Sequence, residues 1–347
     1  MSRFNLRAAL VASSMLSLSV GLGSGLGSGP AFADPVEDFY KGKTMNFLVG
    51  VSAGGGYDID LRLVARHIVK YIPGKPTPVP QNMTGATGLV MANYVYKVAP
   101  RDGTTVALIQ NGLPTFQAVG KEGVQFDARQ LQWIGSLAPT VETMLTWKET
   151  GVRTVDDAKK REVIVGSNGA SGITYMYPLM MNEMLGTKFK MVTGYPGSGA
   201  LNLAIERGEV EGRNNSWSSV KSSKPDWLRD DKVSILVYSG PRQDDLPGVP
   251  NLDDLILDSD NRQVSRVVTA GNRLGRPFAF APDVPIERVN AVRAAFVKML
   301  DDPDFKKEAA AVQVDVQLVD HIVLKKVIDD LFAVPEPLKI RARKYFN

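Results

Sequence analysis

Apolar positions fall into two rhythms along the chain, alternation that predicts strands and a three-and-four spacing that predicts helices. Met45, Phe47 and Val49 alternate as a strand, and Leu61, Val64, Ala65, Ile68 and Ile72 then share one helical face opposite Arg62, Arg66 and Lys70. Between them lies Ser52-Ala53-Gly54-Gly55-Gly56-Tyr57-Asp58, with Asp58 placed as the helix N-cap. The order recurs where residues 77–81 extend, Asn82-Met83-Thr84-Gly85-Ala86-Thr87-Gly88 turns, and a helix follows through Leu89, Ala92 and Tyr96. It recurs again in the strand 162–165, the loop Gly166-Ser167-Asn168-Gly169-Ala170-Ser171-Gly172 and a helix through Tyr175, Leu179 and Met184. Repeated strand–glycine loop–helix units predict an α/β fold, with the first two loops at one edge of a parallel sheet, where open α/β folds bind ligands.

Further strands are predicted at 104–109, 131–137, 143–147, 189–192, 210–213, 233–238 and 277–280, and helices at 36–40, 201–207, 286–300 and 324–332. Gln110-Asn111-Gly112 reads as a polar turn facing the same crevice, and Asn214-Asn215-Ser216-Trp217 as a polar cluster after a strand. Thr154 and Asp157 have capping-box spacing. His67, between Arg66 and Ile68, reads as a helix-surface or boundary residue, and the basic end of the chain as a solvated face.

Glycine loops at helix N-termini leave backbone N–H groups uncovered where the helix dipole already favours an anion, so each is a candidate carboxylate or phosphate cradle. The spacing is neither Gly-x-x-x-x-Gly-Lys-Ser/Thr nor Gly-x-Gly-x-x-Gly, which removes the nucleotide and dinucleotide fingerprints. Two histidines and no cysteine leave no transition-metal constellation. Gly50-Val51-Ser52-Ala53-Gly54 does match Gly-x-Ser-x-Gly, so a secreted serine hydrolase using Ser52 and His321 is a rival reading. It is weakened because Ser52 follows only the first strand after the leader, where a nucleophile elbow needs several strands already laid down.

The run Gly54-Gly55-Gly56-Tyr57-Asp58, then Gln81 to Gly88, then Ala99-Pro100-Arg101-Asp102-Gly103-Thr104-Thr105, resembles in order and spacing the solute-binding receptors of tripartite tricarboxylate transporters, the Bug or TctC family. Gly194-Tyr195-Pro196-Gly197-Ser198 and Asp245-Leu246-Pro247-Gly248-Val249-Pro250 resemble later segments of that family. The resemblance implies a two-lobed periplasmic binding protein of type II (Venus-flytrap), each lobe a mixed sheet flanked by helices. It implies lobe I from 34–138 and 265–347, and lobe II from 139–264. It implies no catalysis and no cofactor, a monomer that captures a small carboxylate (a di- or tricarboxylate, aromatic acid or amino acid), and delivery to the large and small membrane subunits of the transporter. A ligand sensor built on the same receptor is the second alternative.

On this reading the ligand is held by Ser52, Gly54, Gly55, Gly56, Tyr57 and Asp58, by Asn82, Gly85, Ala86, Thr87 and Gly88, and by Asn111 on one lobe. Ser167, Asn168, Gly169, Ala170 and Ser171 face it from the other, with Tyr195 and Asn215. Asp58 is open between ligand contact and simple capping. Three positions depart from the family pattern: Thr87 stands for a glycine, Pro196 for a lysine and Tyr57 for a threonine.

The start of the chain sets the address. Arg3 and Arg7 precede an apolar run from Ala8 to Val20, and Ala31-Phe32-Ala33 has the form of a signal-peptidase site, so cleavage is expected after Ala33 with export to the periplasm. Loss of that leader lowers the formal charge from +4 to +2. The remaining charges are interspersed, which argues against nucleic acid or a membrane surface as partner. Without cysteine the exported chain has no disulfides, and burial alone must hold it.

Overall fold

The computed structural model describes residues 34–170 and 172–346. The expected leader and its cleavage site lie outside the described residues, as does Ser171. No described helix is long and apolar enough to cross a membrane.

Among the described residues, eleven strands form two mixed sheets. The first contains β1 (Thr44–Val49), β2 (Thr77–Asn82), β3 (Thr105–Leu108), β4 (Gln132–Ser136), β10 (Phe278–Phe280) and β11 (Val319–Asp320) in the order β11-β4-β10-β3-β1-β2. The second contains β5 (Glu142–Trp147), β6 (Val163–Gly166), β7 (Phe189–Val192), β8 (Gly212–Ser216) and β9 (Val233–Ser239) in the order β7-β6-β8-β5-β9. In the first sheet β1 runs parallel to β2 and β3, while β10 runs antiparallel to β3 and β4. In the second, β6 is parallel to β7 and β8, and β5 is antiparallel to β8 and β9. This is an α/β architecture of two mixed sheets flanked by helices.

Helix α1 (Pro35–Tyr40) leads in, followed by α2 (Gly56–Ile68), α3 (Leu89–Lys97) and α4 (Leu113–Ala118) around the first sheet. Helices α5 (Val155–Lys160), α6 (Ile173–Leu185), α7 (Ser198–Glu206) and α8 (Trp217–Ser223) accompany the second. The predicted apolar face of α2 is buried through Leu61, Val64, Ala65 and Ile68. In β1 even Leu48 is buried, because a central parallel strand is covered on both faces. The main apolar cluster joins the sheets, holding Phe47, Leu108 and Phe280 from the first and Met144, Val165 and Leu236 from the second.

The chain passes from the first sheet to the second after β4 and returns before β10. The two crossings lie side by side: the Thr140 N–H donates to the Asn272 carbonyl at 2.8 Å, and the Arg276 N–H to the Ser136 hydroxyl at 2.8 Å. Asn272 also donates from its side chain to the Ser239 carbonyl at the end of β9.

Three readings need correction. Asn214, Asn215 and Ser216 are buried strand residues of β8, with Asn214 Nδ2 donating to Glu142 and Ser216 accepting from Arg276, both distant in sequence. His67 is buried rather than at the surface, with Nε2 at 2.6 Å from Glu308 and its ring edge-on to Phe305. Asp58 is not the N-cap; that position is Gly55, and Asp58 is the third residue of α2.

Candidate functional site

A cavity of about 380 Å³ lies between the ends of the two sheets, within the size range of small-molecule sites. Because β1 runs parallel to β2, the loops that leave them emerge at one sheet edge, and both reach the cavity. Ser52, Gly55, Gly56 and Tyr57 line it from the first loop, and Thr84, Gly85, Ala86 and Thr87 from the second. Asn111 joins them from the turn after β3. From the second sheet come Asn168, Tyr195 and Asn215.

The remaining expected positions support the loops from behind. The Asp58 carboxylate accepts from the Gly54 N–H at 3.0 Å, from Arg62 Nε at 2.9 Å and from Asn82 Nδ2 at 2.9 Å. Asn82 also donates to the Val51 carbonyl, so the two glycine loops are tied together. Burial raises the Asp58 pKa, but Arg62, the Gly54 N–H and Asn82 outweigh it and hold the carboxyl below its ordinary value. Gly88, at φ +87°, packs its Cα side against the Gln110 carboxamide, which a Cβ would overlap.

The second-sheet loop differs from expectation. The Ser167 N–H goes to the Val192 carbonyl at 2.8 Å, and the Asn168 N–H to Thr174 Oγ1 at 3.1 Å. The Gly169 N–H goes to Ser167 Oγ at 3.3 Å. These amides are taken by Val192, Thr174 and Ser167, and Ser167, Gly169 and Ala170 do not line the cavity. Gly55 and Gly56, by contrast, open α2, where first-turn N–H groups have no helical acceptor.

The charged groups of the site were missed in the sequence. Arg213 is 1% exposed and lines the cavity. Its guanidinium donates to the carbonyls of Asn214 and Ser198, to Asn202 Oδ1 at 3.0 Å, and to Ser198 Oγ. All are neutral oxygens. Burial pushes its pKa down to about 10, which leaves it cationic at neutral pH. Glu142, at the start of β5, also lines the cavity, and burial pushes its carboxyl up to about 7. Gln110 reaches the cavity with no hydrogen-bond partner for either carboxamide atom among the described residues. Leu113, Phe116 and Ile173 supply an apolar wall.

The two sides of the cavity touch. A Cβ on Gly197 would overlap the Ser52 hydroxyl, and one on Gly56 would overlap Ser219 and Arg276, so both close approaches require glycine. Arg276 Nη1 meets Asp60 at 2.7 Å, and Nη2 donates to Ser216 and Ser219 at 2.7 and 2.5 Å. Its guanidinium also lies over the Tyr57 ring, 4.9 Å from the centroid, while the Tyr57 hydroxyl accepts from the Asn111 N–H.

The hydrolase constellation does not assemble. Ser52 lines the cavity, whereas His321 lines a separate depression with Arg129, Arg293 and Asp329.

No family model and no curated protein matches the chain by sequence. Solved structures do. MatC from Rhodopseudomonas palustris with bound malate is 19% identical at TM-score 0.67, covering 86% of this chain and 99% of its own. The periplasmic binding protein BugD is 16% identical at TM-score 0.70, with 88% and 98% covered. A second R. palustris protein, solved with adipate, is 17% identical at TM-score 0.68, with 87% and 97% covered. The chain therefore has the two-lobed fold of periplasmic solute-binding proteins, in keeping with the Bug and TctC receptors that its loop motifs resemble.

Proposed function

We infer that the chain is a periplasmic solute-binding receptor that captures a small carboxylate between two lobes and delivers it to the membrane subunits of a tripartite tricarboxylate transporter. One observation carries the reading: a cavity between the sheets has the open N-terminus of α2 on one side and, on the other, the buried cation Arg213, whose hydrogen bonds among the described residues all go to neutral oxygens. A buried charge that makes no direct ion pair is costly, and an anion in the cavity offsets that cost. A helix N-terminus adds up to about 2 kcal/mol to an anion held there when partly buried.

The lobes are residues 34–138 with 265–347, and residues 139–264. They hinge at the paired crossings and close over the ligand, which binds the closed form more tightly than the open one. Malate and adipate, the acids bound by two proteins of this fold, are consistent with that ligand class. Export by the leader ending at Ala33 places the receptor in the periplasm.

The test is a thermal-shift screen of purified protein, stripped of carried-over ligand, against small carboxylates. At about 1,000 times Kd a ligand adds ~4.1 kcal/mol of stability, enough to raise Tm by several degrees. A few acids standing clear of the panel are expected; a panel flat across all carboxylates overturns the reading.

A further inference from the structure

Glu142 and Arg213 give the cavity wall a charge pattern that ordinary dicarboxylates do not match. Glu142 is 2% exposed. Its Oε2 accepts from Asn214 Nδ2 at 2.7 Å, and among the described residues its Oε1 has no hydrogen-bond partner. The other buried cation at the site, Arg276, is already answered by Asp60. The wall therefore presents one cation that lacks a carboxylate, one carboxyl group with an oxygen to spare, and the apolar side chains of Leu113, Phe116 and Ile173.

A dicarboxylate meets Arg213 with one end and brings a second negative charge into a buried space that already holds Glu142. Above about pH 7, where Glu142 is ionised, like charges at close range in this poorly solvated site are strongly disfavoured. A molecule with one carboxylate and one donor satisfies both groups, and an ammonium on a carboxylate makes the stronger, charge-assisted hydrogen bond. We propose that the site selects amino acids, and after them hydroxy acids, whose single carboxylate meets Arg213 and the loop amides while the ammonium or hydroxyl group meets Glu142, over dicarboxylates of the same length. This rests on the receptor reading above and narrows its ligand class.

The test uses two matched series in calorimetric titrations of the stripped protein at about pH 8, above the Glu142 value of about 7: 6-aminohexanoate, 6-hydroxyhexanoate, hexanoate and adipate, and 4-aminobutyrate, 4-hydroxybutyrate, butyrate and succinate. In at least one series the amino acid is expected to bind at least ~10-fold more tightly than the dicarboxylate, a margin of about 1.4 kcal/mol, with the hydroxy acid between. Glu142→Gln is expected to weaken the amino acid by at least ~10-fold and to remove the handicap of the dicarboxylate. The proposal is overturned if the dicarboxylate binds most tightly to the parent protein, or if Glu142→Gln leaves the ranking unchanged. The parent ranking decides by itself should the variant not fold. Failure of all eight acids also overturns it, and the receptor reading falls with it only if the wider carboxylate screen is flat as well.

Discussion

Arg276 and Asp60 form a buried ion pair, Nη1 to Oδ2 at 2.7 Å, with both side chains about 5% exposed. Asp60 belongs to α2, beside the first sheet, and the same guanidinium holds Ser216 and Ser219 at the end of the second. One side chain thus fastens both sides of the cavity. Arg276→Met strands a buried carboxylate, and a loss of about 3 to 5 kcal/mol is expected in urea unfolding. Asp60→Asn combined with Arg276→Met removes both charges and is expected to recover more than half of that loss. A double variant as unstable as the single one contradicts this assignment.

Glu142 makes stability depend on pH. Burial lifts its carboxyl from an ordinary 4.5 to about 7, against the pull of Asn214, Arg276 and Arg213, and its charge is also felt by Tyr57 and Tyr177. The folded state therefore holds this proton more tightly than the unfolded chain. Its contribution is fully present below about 4.5 and is lost as pH rises through about 7. Relative to the parent, Glu142→Gln is expected to gain about 2 kcal/mol between pH 5.5 and pH 8. Parallel stability curves for the two proteins across that range contradict a buried, titrating Glu142.

Asp58 ties the glycine loops together. Asp58→Ala removes the acceptor for the Gly54 N–H, Arg62 and Asn82, and a destabilisation of about 1 to 3 kcal/mol is expected. Because this carboxyl is held below its ordinary value, its contribution is present above about 3.8 and is lost as pH falls through the folded value. The gap between parent and variant is therefore expected to narrow in acid, measured as Cm in urea at pH 7 and pH 3. A gap that stays constant to pH 3 speaks against the ionised tie.

The glycine loops were legible in the sequence because their signal is local. A parallel strand, a run of small residues and an amphipathic helix fix where the N–H groups emerge, and Ser52, Gly55, Gly56, Tyr57, Gly85, Ala86, Thr87 and Asn111 do line the cavity. Arg213, Glu142 and the strand identity of Asn214 to Ser216 were not legible. A polar run reads as a turn when its partners are unknown, and Arg213 is satisfied by Ser198 and Asn202, Asn214 by Glu142, 72 positions away. His67 misled for the same reason, since Glu308 lies 241 positions along the chain. Helix α4 was hidden because Gly112 and Pro114 look like loop residues, although Pro in the first turn suits a helix start.

Thr87 carries a left-handed backbone, φ 55° and ψ 38°, where the family pattern has glycine. That conformation costs a non-glycine residue roughly 1 to 2 kcal/mol. Its side chain lies at van der Waals distance from the Cβ positions of Gly169 and Gly172, on the opposite side of the cavity. Thr87→Gly relieves the strain but loosens the unfolded chain by about 0.5 to 1 kcal/mol, so stability is expected to rise by no more than about 1 kcal/mol. A fall of more than about 1 kcal/mol in chemical denaturation means that the threonine contacts outweigh the strain.

The central claim is that a carboxylate ligand answers the buried charge of Arg213, and it is tested most directly by titrating the tightest acid from the screen into the parent protein and into Arg213→Met. The account predicts one-to-one binding that weakens by about 10- to 100-fold in the variant, the worth of a hydrogen bond to a charged group. Equal affinity in the two proteins, with the variant folded, would contradict it.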